Sequence, residues 1–188
     1  MLISDYSELK KRLAARAPRR VEEAGIAESA VALILAPGKL GLEALLIRRA
    51  ERAGDPWSGH IALPGGRREP GDEDRLATAR RETKEEVGLA LPPSALLGAL
   101  DDETPGAPRP PLVIRPYAFG LETRPATSLS DEVADVIWLP LAELPGREGK
   151  ASVPIRGVPV EVPCFNRGGA VIWGLTYRIL NGFLKLAA

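Results

Sequence analysis

Three glutamates, Glu82, Glu85 and Glu86, lie close together in the segment ARRETKEEVGL, residues 79–89. On a helix, residues three or four positions apart are neighbours, so these carboxylates would repel one another by about 0.2–0.5 kcal/mol per pair. A divalent cation would relieve that repulsion. Mg²⁺ prefers oxygen ligands and is commonly completed by the phosphates of a substrate. The spacing therefore suggests magnesium-dependent chemistry on a phosphate compound.

An alternative interpretation of these glutamates is a solvated acidic patch whose charge is offset by Arg80, Arg81 and Lys84. The preceding segment LPGGRREPGD, residues 63–72, favours the metal site, because long glycine- and proline-rich loops in compact domains are often functional. In addition, Arg81 lies four residues before Glu85, where a guanidinium group can orient a carboxylate.

The glutamates need a helix that holds them on one side. The spacing predicts a helix from about Glu73 to Val87, ended by Gly88. At about 100° per residue, one flank of this helix is apolar or small and is expected to pack, and it contains Leu76, Ala79, Thr83 and Val87. The other flank is expected to present the three carboxylates.

The remaining segments alternate between predicted strands and helices. We predict a helix within 5–16, a long ordered loop over 51–70, strands near 29–37, 42–50, 95–100 and 111–122 with a proline-rich loop over 101–111, a strand and helical turn over 132–144, a hairpin over 153–163 and a closing helix over 171–186. This order predicts a single α/β domain with a mixed sheet and helices on both faces.

Composition restricts the partners. The formal net charge is zero, so no global field attracts nucleic acid or an anionic membrane, and no apolar run is long enough for a membrane span. The single Cys164 precludes an intrachain disulfide, and the charged first twenty residues do not resemble a secretory signal. We expect a cytoplasmic protein without nucleic-acid or membrane partners. Its N-terminal cations are expected to form a solvated helix face: Lys10, Lys11, Arg12, Arg16, Arg19 and Arg20.

The glycine loop and the glutamates together resemble the Nudix box, Gly-x5-Glu-x7-Arg-Glu-x2-Glu-Glu-x-Gly followed by an aliphatic residue. The half that begins at Arg81 matches at every fixed position. The first half is one residue longer than the pattern. Counting forward from Gly66 reaches Asp72, whereas counting back from Arg81 reaches Glu73. The role of the first acidic residue is therefore open between these two.

The resemblance implies an α/β/α sandwich that hydrolyses a nucleoside diphosphate linked to another group. The chain would be one Nudix domain, 1–188, with an N-terminal helical extension, 1–27, and the box at 65–89. The implied ligands of Mg²⁺, or of Mn²⁺, are Glu82, Glu86 and the carbonyl of Gly65, with Glu85 as a further ligand or one that binds through water. Arg81 would hold the carboxylates in place.

A general base is also implied by the resemblance. The stretch SDEVADVIWLPLAEL is similar to a family segment in which a glutamate precedes the tryptophan by six residues, and that residue here is Glu132. Asp131, Glu103 and Asp102 are the other candidates. The chain has no Gly-x-Ser-x-Gly or P-loop motif, one cysteine and one histidine, His60, so attack by water is expected rather than covalent catalysis.

Residues 45–66, LLIRRAERAGDPWSGHIALPGG, resemble the signature of the coenzyme A pyrophosphatase branch. The matching residues are Leu45, Leu46, Arg49, Gly59, Pro64, Gly65 and Gly66. One extra residue puts Asp55 where a second arginine is expected, and Arg52 could replace it. The implied substrate-binding residues are Arg49, Arg52, Arg67, Gly66 and Trp57. The Trp57 indole would either stack on a purine or plug the loop.

Three functions remain open from the sequence. The first is cleavage of coenzyme A or its derivatives to adenosine 3′,5′-bisphosphate and 4′-phosphopantetheine. The second is a Nudix pyrophosphatase for ADP-ribose, dinucleotides or oxidised nucleoside triphosphates. The third is a non-catalytic nucleotide sensor, which the complete Arg81-Glu82 and Glu85-Glu86 pairs disfavour. The substrate is expected to be a small nucleotide in each case, and a homodimer is compatible with the sequence.

Overall fold

The computed structural model describes residues 2–188 apart from 23–24, 55–56, 106–110, 156 and 168–169. Asp55 and most of the proline-rich loop therefore lie outside the described residues. The helices are α1 (Tyr6–Ala14), α2 (Arg75–Val87) and α3 (Gly174–Ala187). The strands are β1 (Ala27–Gly38), β2 (Gly41–Arg49), β3 (Ile61–Ala62), β4 (Gly65–Arg67), β5 (Leu96–Ala99), β6 (Leu112–Gly120), β7 (Val133–Pro140), β8 (Glu148–Ile155), β9 (Val158–Arg167) and β10 (Ala170–Trp173).

Seven strands form a mixed sheet with the order β3-β2-β1-β6-β5, with β4 added to β1 and β7 added to β2. The central pair, β1 and β6, is parallel, whereas the other pairs in this sheet are antiparallel. The strands β10-β9-β8 form a second, antiparallel sheet. The predicted mixed sheet is confirmed.

Alternating side chains of β1 divide between two hydrophobic cores, because successive residues of a strand point to opposite faces. Leu33 and Leu35 pack in the cluster that includes residues of α1 and α3. Ala32 and Ile34 pack in the cluster that includes Val87 of α2. Helices therefore cover both faces of the sheet, as the sequence predicted.

Helix α1 is built into the first core rather than standing apart. Leu9 is fully buried, and the single O–H of Tyr6 is shared between the carbonyl oxygens of Leu35 and Leu121, at 3.0 and 2.9 Å. The backbone N–H of Ile3 donates to the carbonyl of Ala187, the last residue of α3. The N-terminal helix and α3 thus stabilise each other beneath the sheet.

The prediction of a solvated N-terminal cationic face is wrong for Arg16 and Arg20, which are partly buried in ion pairs, whereas Arg12 and Arg19 are exposed. The guanidinium of Arg20 lies 3.1 Å from the fully buried carboxylate of Asp102, which also accepts two hydrogen bonds from Arg115. Arg16 pairs with Asp101, and Arg19 lies 3.8 Å from Glu103. The acidic run after β5 is about 80 residues away in the chain, so local sequence patterns could not reveal these pairs.

Two predicted helix boundaries are wrong. Helix α2 begins at Arg75 rather than Glu73, because Asp74 caps it by accepting a 2.7 Å hydrogen bond from the N–H of Ala77. The closing helix begins at Gly174, because residues 170–173 pair with β9 instead. The loop predicted over 51–70 also contains β3 and β4. In the described residues, no helix is both long and apolar enough to cross a membrane.

Candidate active site

Helix α2 is fixed by packing along one flank and by caps at both ends. Ala79 and Val87 are fully buried, and Gly88 ends the helix with a φ of 73°. The following loop docks on its C-terminal end, where the N–H groups of Ser128 and Ser130 donate 3.0 Å hydrogen bonds to the carbonyls of Val87 and Glu86. The carboxylates of α2 therefore project from a rigid element.

Glu86 is only 4% exposed, so the prediction that all three glutamates lie on an open flank is wrong for this residue. Strand β4 covers it, and the N–H of Gly65 donates a 2.9 Å hydrogen bond to its Oε2 atom. Burial raises the pKa of Glu86 to about 7, with a further increase from Glu82 and an opposing effect from Arg49. The molecule thus holds a carboxylate where its negative charge is poorly stabilised.

Glu82 lies between Arg81 and the backbone of β4. Its side chain is 17% exposed, and its Oε1 atom accepts a 3.0 Å hydrogen bond from Nη1 of Arg81. Burial raises the pKa of Glu82, although the pairing with Arg81 opposes the increase. A Cβ atom added to Gly66 would lie 2.4 Å from Glu82 Oε1, so only glycine lets this carboxylate approach the strand.

Arg81 connects the loop to the helix through all its donors. Its Nε and Nη2 atoms donate to the two carboxylate oxygens of Asp72, both at 2.9 Å, and Nη2 also donates to the carbonyl of Arg67. Its Nη1 atom donates to Glu82 and Glu85 at 3.0 Å. This bidentate pair holds the pKa of Asp72 well below its usual range. The structure therefore places Asp72, and not Glu73, against Arg81.

Glu132 and Arg52 lie together at the edge of this region. Nη1 of Arg52 is 3.3 Å from Oε1 of Glu132, and Nη2 is 3.1 Å from Oδ2 of Asp131. The backbone carbonyl of Glu132 accepts a hydrogen bond from the N–H of Ala50. The negative charge of the Glu132 carboxylate contributes to the raised pKa of Glu86. Glu132 is thus close enough to affect the buried Glu86 carboxylate, and Asp131 shares Arg52 as its partner. Two other predicted candidates for the base, Asp102 and Glu103, are instead paired with N-terminal arginines.

Within the described ranges, no three Asp, Glu, His or Cys side chains converge as a ready-made metal cluster. Glu85 has a side chain that is 59% exposed and points to Arg81 rather than to Glu86. The donors nevertheless fit a hard divalent cation. Burial raises the pKa of both Glu82 and Glu86, and a cation held by one or two carboxylates plus substrate phosphates would stabilise both charges.

An aromatic cluster adjoins the site, and the sequence patterns did not predict all of its members. The rings of Trp57, His60 and Trp173 lie with their centroids 5.1–6.2 Å apart. The N–H of Arg49 donates to the carbonyl of His60 at 3.0 Å, which ties the cluster to the end of β2. Trp173 is the last residue of β10. Because Trp173 and Trp57 are far apart in the chain, no local sequence pattern could have predicted their contact.

The approach of Glu82 to β4 gives a first testable prediction. Gly66→Ala should displace the Glu82 carboxylate and raise the Mg²⁺ concentration needed for half-maximal activity by about tenfold. Gly71→Ala is a matched control, because a Cβ atom at Gly71 would meet no atom within 4 Å. A magnesium titration of both variants is the measurement. Equal dependence on Mg²⁺ in the two variants would contradict the role in metal binding that is given to the close contact of Glu82 with β4.

The NUDIX domain model matches residues 27–156 of the chain, which include β1, the glycine loop, α2 and the Glu132 loop. The mitochondrial coenzyme A diphosphatase NUDT8 of Homo sapiens is 34% identical over 196 aligned residues, which cover 99% of this chain and 80% of that protein. An uncharacterized protein of Schizosaccharomyces pombe is 42% identical over 106 residues, or 53% of this chain. That match spans about a third, 32%, of the yeast protein.

Among solved structures, a MutT/nudix family protein from Enterococcus faecalis superposes with a TM-score of 0.61 at 20% identity, covering 99% of this chain and 75% of the other. At this identity the similarity concerns the fold alone. It extends over α1 and α3 as well as the segment matched by the domain model. The arrangement of sheet and helices described above is therefore shared with a known structure.

Proposed function

This chain belongs to the Nudix hydrolase family, which acts on pyrophosphate bonds, and from that premise we propose that it cleaves the diphosphate of coenzyme A or one of its derivatives. The proposal depends most on one structural observation. A single arginine, Arg81, organises Asp72, Glu82 and Glu85 beside the buried Glu86. The choice of substrate is supported by residues 45–66 and by the similarity to a coenzyme A diphosphatase along nearly the whole chain.

The carboxylates of Glu82 and Glu86, with Glu85 and the carbonyl of Gly65, would hold Mg²⁺ or Mn²⁺. When bound, such a cation neutralises charge on a diphosphate and lowers the pKa of a coordinated water. The chain's own contribution is orientation. Arg81 fixes the position of Glu82, and the N–H of Gly65 fixes that of Glu86. Phosphoryl transfer depends mainly on such positioning and on charge stabilisation.

The Arg52 pairs suggest how the proton acceptor becomes available. Glu132 and Asp131 both accept hydrogen bonds from this guanidinium, whose side chain is 46% exposed. A substrate phosphate would compete for the same N–H donors, because guanidinium groups bind phosphate in a bidentate manner. Binding of substrate would thus release Glu132 to accept the proton of the attacking water. Arg49 is the last residue of β2, and Arg67 is the last residue of β4.

A substrate panel tests the proposal. We expect coenzyme A to be cleaved to adenosine 3′,5′-bisphosphate and 4′-phosphopantetheine with a kcat/KM at least about tenfold above those for ADP-ribose, dinucleotides and nucleoside triphosphates. Product identification by chromatography with mass spectrometry is the measurement, with and without Mg²⁺ or Mn²⁺. Preferential cleavage of another diphosphate would overturn the substrate assignment. Binding without cleavage of any compound would instead support a nucleotide sensor.

A further inference from the structure

We propose that the aromatic cluster of Trp57, His60 and Trp173 forms a stacking surface for the adenine base of the substrate. This inference rests on the proposed function, since it assigns one half of the substrate to one part of the site. It extends the site to a residue of β10, Trp173, that lies outside the 27–156 segment matched by the domain model.

The position of the cluster supports a substrate role. His60 is joined to Arg49 through the backbone, and the N–H of Gly59 also donates to the carbonyl of Arg49 at 3.2 Å. Five residues after His60, Gly65 binds Glu86, so the two positions are at most about 18 Å apart. The cluster is therefore flanked in the chain by arginines on one side and by the carboxylate site on the other.

The exposure of Trp57 argues against a purely structural plug. Half of its surface, 50%, is exposed, although a large aromatic side chain gains most when it is buried. The other exposed large hydrophobic residues in the described part of the chain are aliphatic: Leu40, Leu129, Val158 and Val160. Trp57 thus leaves part of a wide, flat apolar ring accessible to a ligand.

The two supporting rings hold Trp57 in place from the protein side. His60 contacts Trp57 edge-on, with centroids 5.8 Å apart and an interplanar angle of 70°. Trp173 contacts His60 edge-on at 5.1 Å and Trp57 at 6.2 Å. In a T-shaped pair the edge of one ring meets the face of the other, and an indole held by such contacts loses little freedom when a planar ligand stacks on it.

The anchorage of Trp173 makes the surface a composite of distant segments. Trp173 precedes α3, and Thr176 in the first turn of α3 donates a hydrogen bond from Oγ1 to the carbonyl of Ile61 at 3.3 Å. The C-terminal helix is thereby fixed to β3, directly after His60. This bond helps to hold Trp173 beside Trp57, although the two tryptophans are far apart in the chain.

Chemistry assigns the adenine half, rather than the pantetheine half, to this surface. A purine is a planar ring that stacks on indole, whereas pantetheine is a flexible chain whose two amides need hydrogen-bonding partners. Arg49 at the end of β2 and Arg52 in the loop that follows are suited to the phosphates that follow the nucleoside. The base would therefore lie on Trp57 while the diphosphate extends toward α2.

Binding of the two product halves, measured without turnover, tests this proposal. Trp57→Leu should weaken binding of adenosine 3′,5′-bisphosphate about 5- to 150-fold, the range expected for loss of one base–aromatic stack. Binding of 4′-phosphopantetheine should change less than about twofold on the same scale. Isothermal titration calorimetry with each compound is the measurement. Trp57→Phe should recover most of the lost nucleotide affinity, because a stacking ring is restored.

Trp138→Phe serves as a matched control, since Trp138 lies on β7 beside Arg124, away from the cluster, and should leave both affinities unchanged. Equal losses for both halves in Trp57→Leu, unchanged nucleotide binding, or no measurable nucleotide binding by the wild-type protein would each overturn the stacking role. Failure of the substrate assignment can be distinguished from failure of the stacking role. In the first case the wild-type protein would not cleave coenzyme A, but the titrations with the two half-molecules would still report on Trp57.

Discussion

Glu86→Gln should lower kcat by about 100-fold or more, the cost expected when a charge that stabilises a transition state is removed. Glu86 is the most buried of the three glutamates on α2. The neutral amide of a glutamine at this position cannot balance the charge of a divalent cation. The variant should fold normally, because the glutamine oxygen can still accept the hydrogen bond from Gly65. Steady-state kinetics at saturating substrate is the measurement.

Thermal unfolding separates this effect from damage to the fold. Since burial raises the pKa of Glu86 to about 7, its ionised form is disfavoured in the protein, and the metal-free variant should have an unchanged or higher Tm. Glu161→Gln, on the exposed side of the second sheet, is the control and should leave kcat unchanged. A Glu86→Gln variant with full turnover would remove this residue from the metal site.

Asp72→Asn should lower both stability and turnover, whereas Glu73→Gln should resemble the wild type. Asp72 is 7% exposed and forms the two-bond pair with Arg81, so the substitution leaves a largely buried guanidinium without its main partner. The expected cost is about 2–3 kcal/mol, or a fall in Tm of about 5–10 °C for a domain of this size. Turnover should fall about 10- to 100-fold, because Arg81 also positions Glu82 and Glu85.

The neighbouring pair provides its own control, because the two substitutions make the same chemical change one residue apart. Differential scanning fluorimetry and kinetics on both variants are sufficient. If Glu73→Gln were the damaging substitution, the acidic position of the box would have to be counted back from Arg81 rather than forward from Gly66. The bidentate pair described above would then not hold in solution.

The acidic helix and the central strands could be predicted because the sequence patterns that define them lie within the segments themselves. The spacing of Ala79, Thr83 and Val87 defines a packing flank, and Gly88 marks the end, whatever lies elsewhere in the chain. The boundary errors at Glu73 and at residues 170–173 also have local causes. Asp74 competes as a cap, and a short apolar segment can pair as a strand when a partner is adjacent.

The parts of the site that escaped prediction depend on contacts between distant segments. Glu86 is buried because β4 lies across α2. The helical periodicity of the α2 sequence gives no information about that contact. The choice of Asp72 over Glu73 required the actual path of the loop around Arg81. Trp173 joins Trp57 only because α3 is tied to β3. In each case the decisive partner is far away in sequence or lies in an irregular loop.

The parallel pairing of β1 with β6 has a consequence for how the molecule forms. Strands β2 to β5 and helix α2 all lie in the chain between these two partners, so this pairing must close a long loop and is expected to be a slow event in folding. Arg49, Arg81 and the α2 glutamates belong to that loop. Because α2 packs against both β1 and β6, through Val87, Ile34 and Phe119, catalytic activity during refolding is expected to recover in the same slow phase as this pairing.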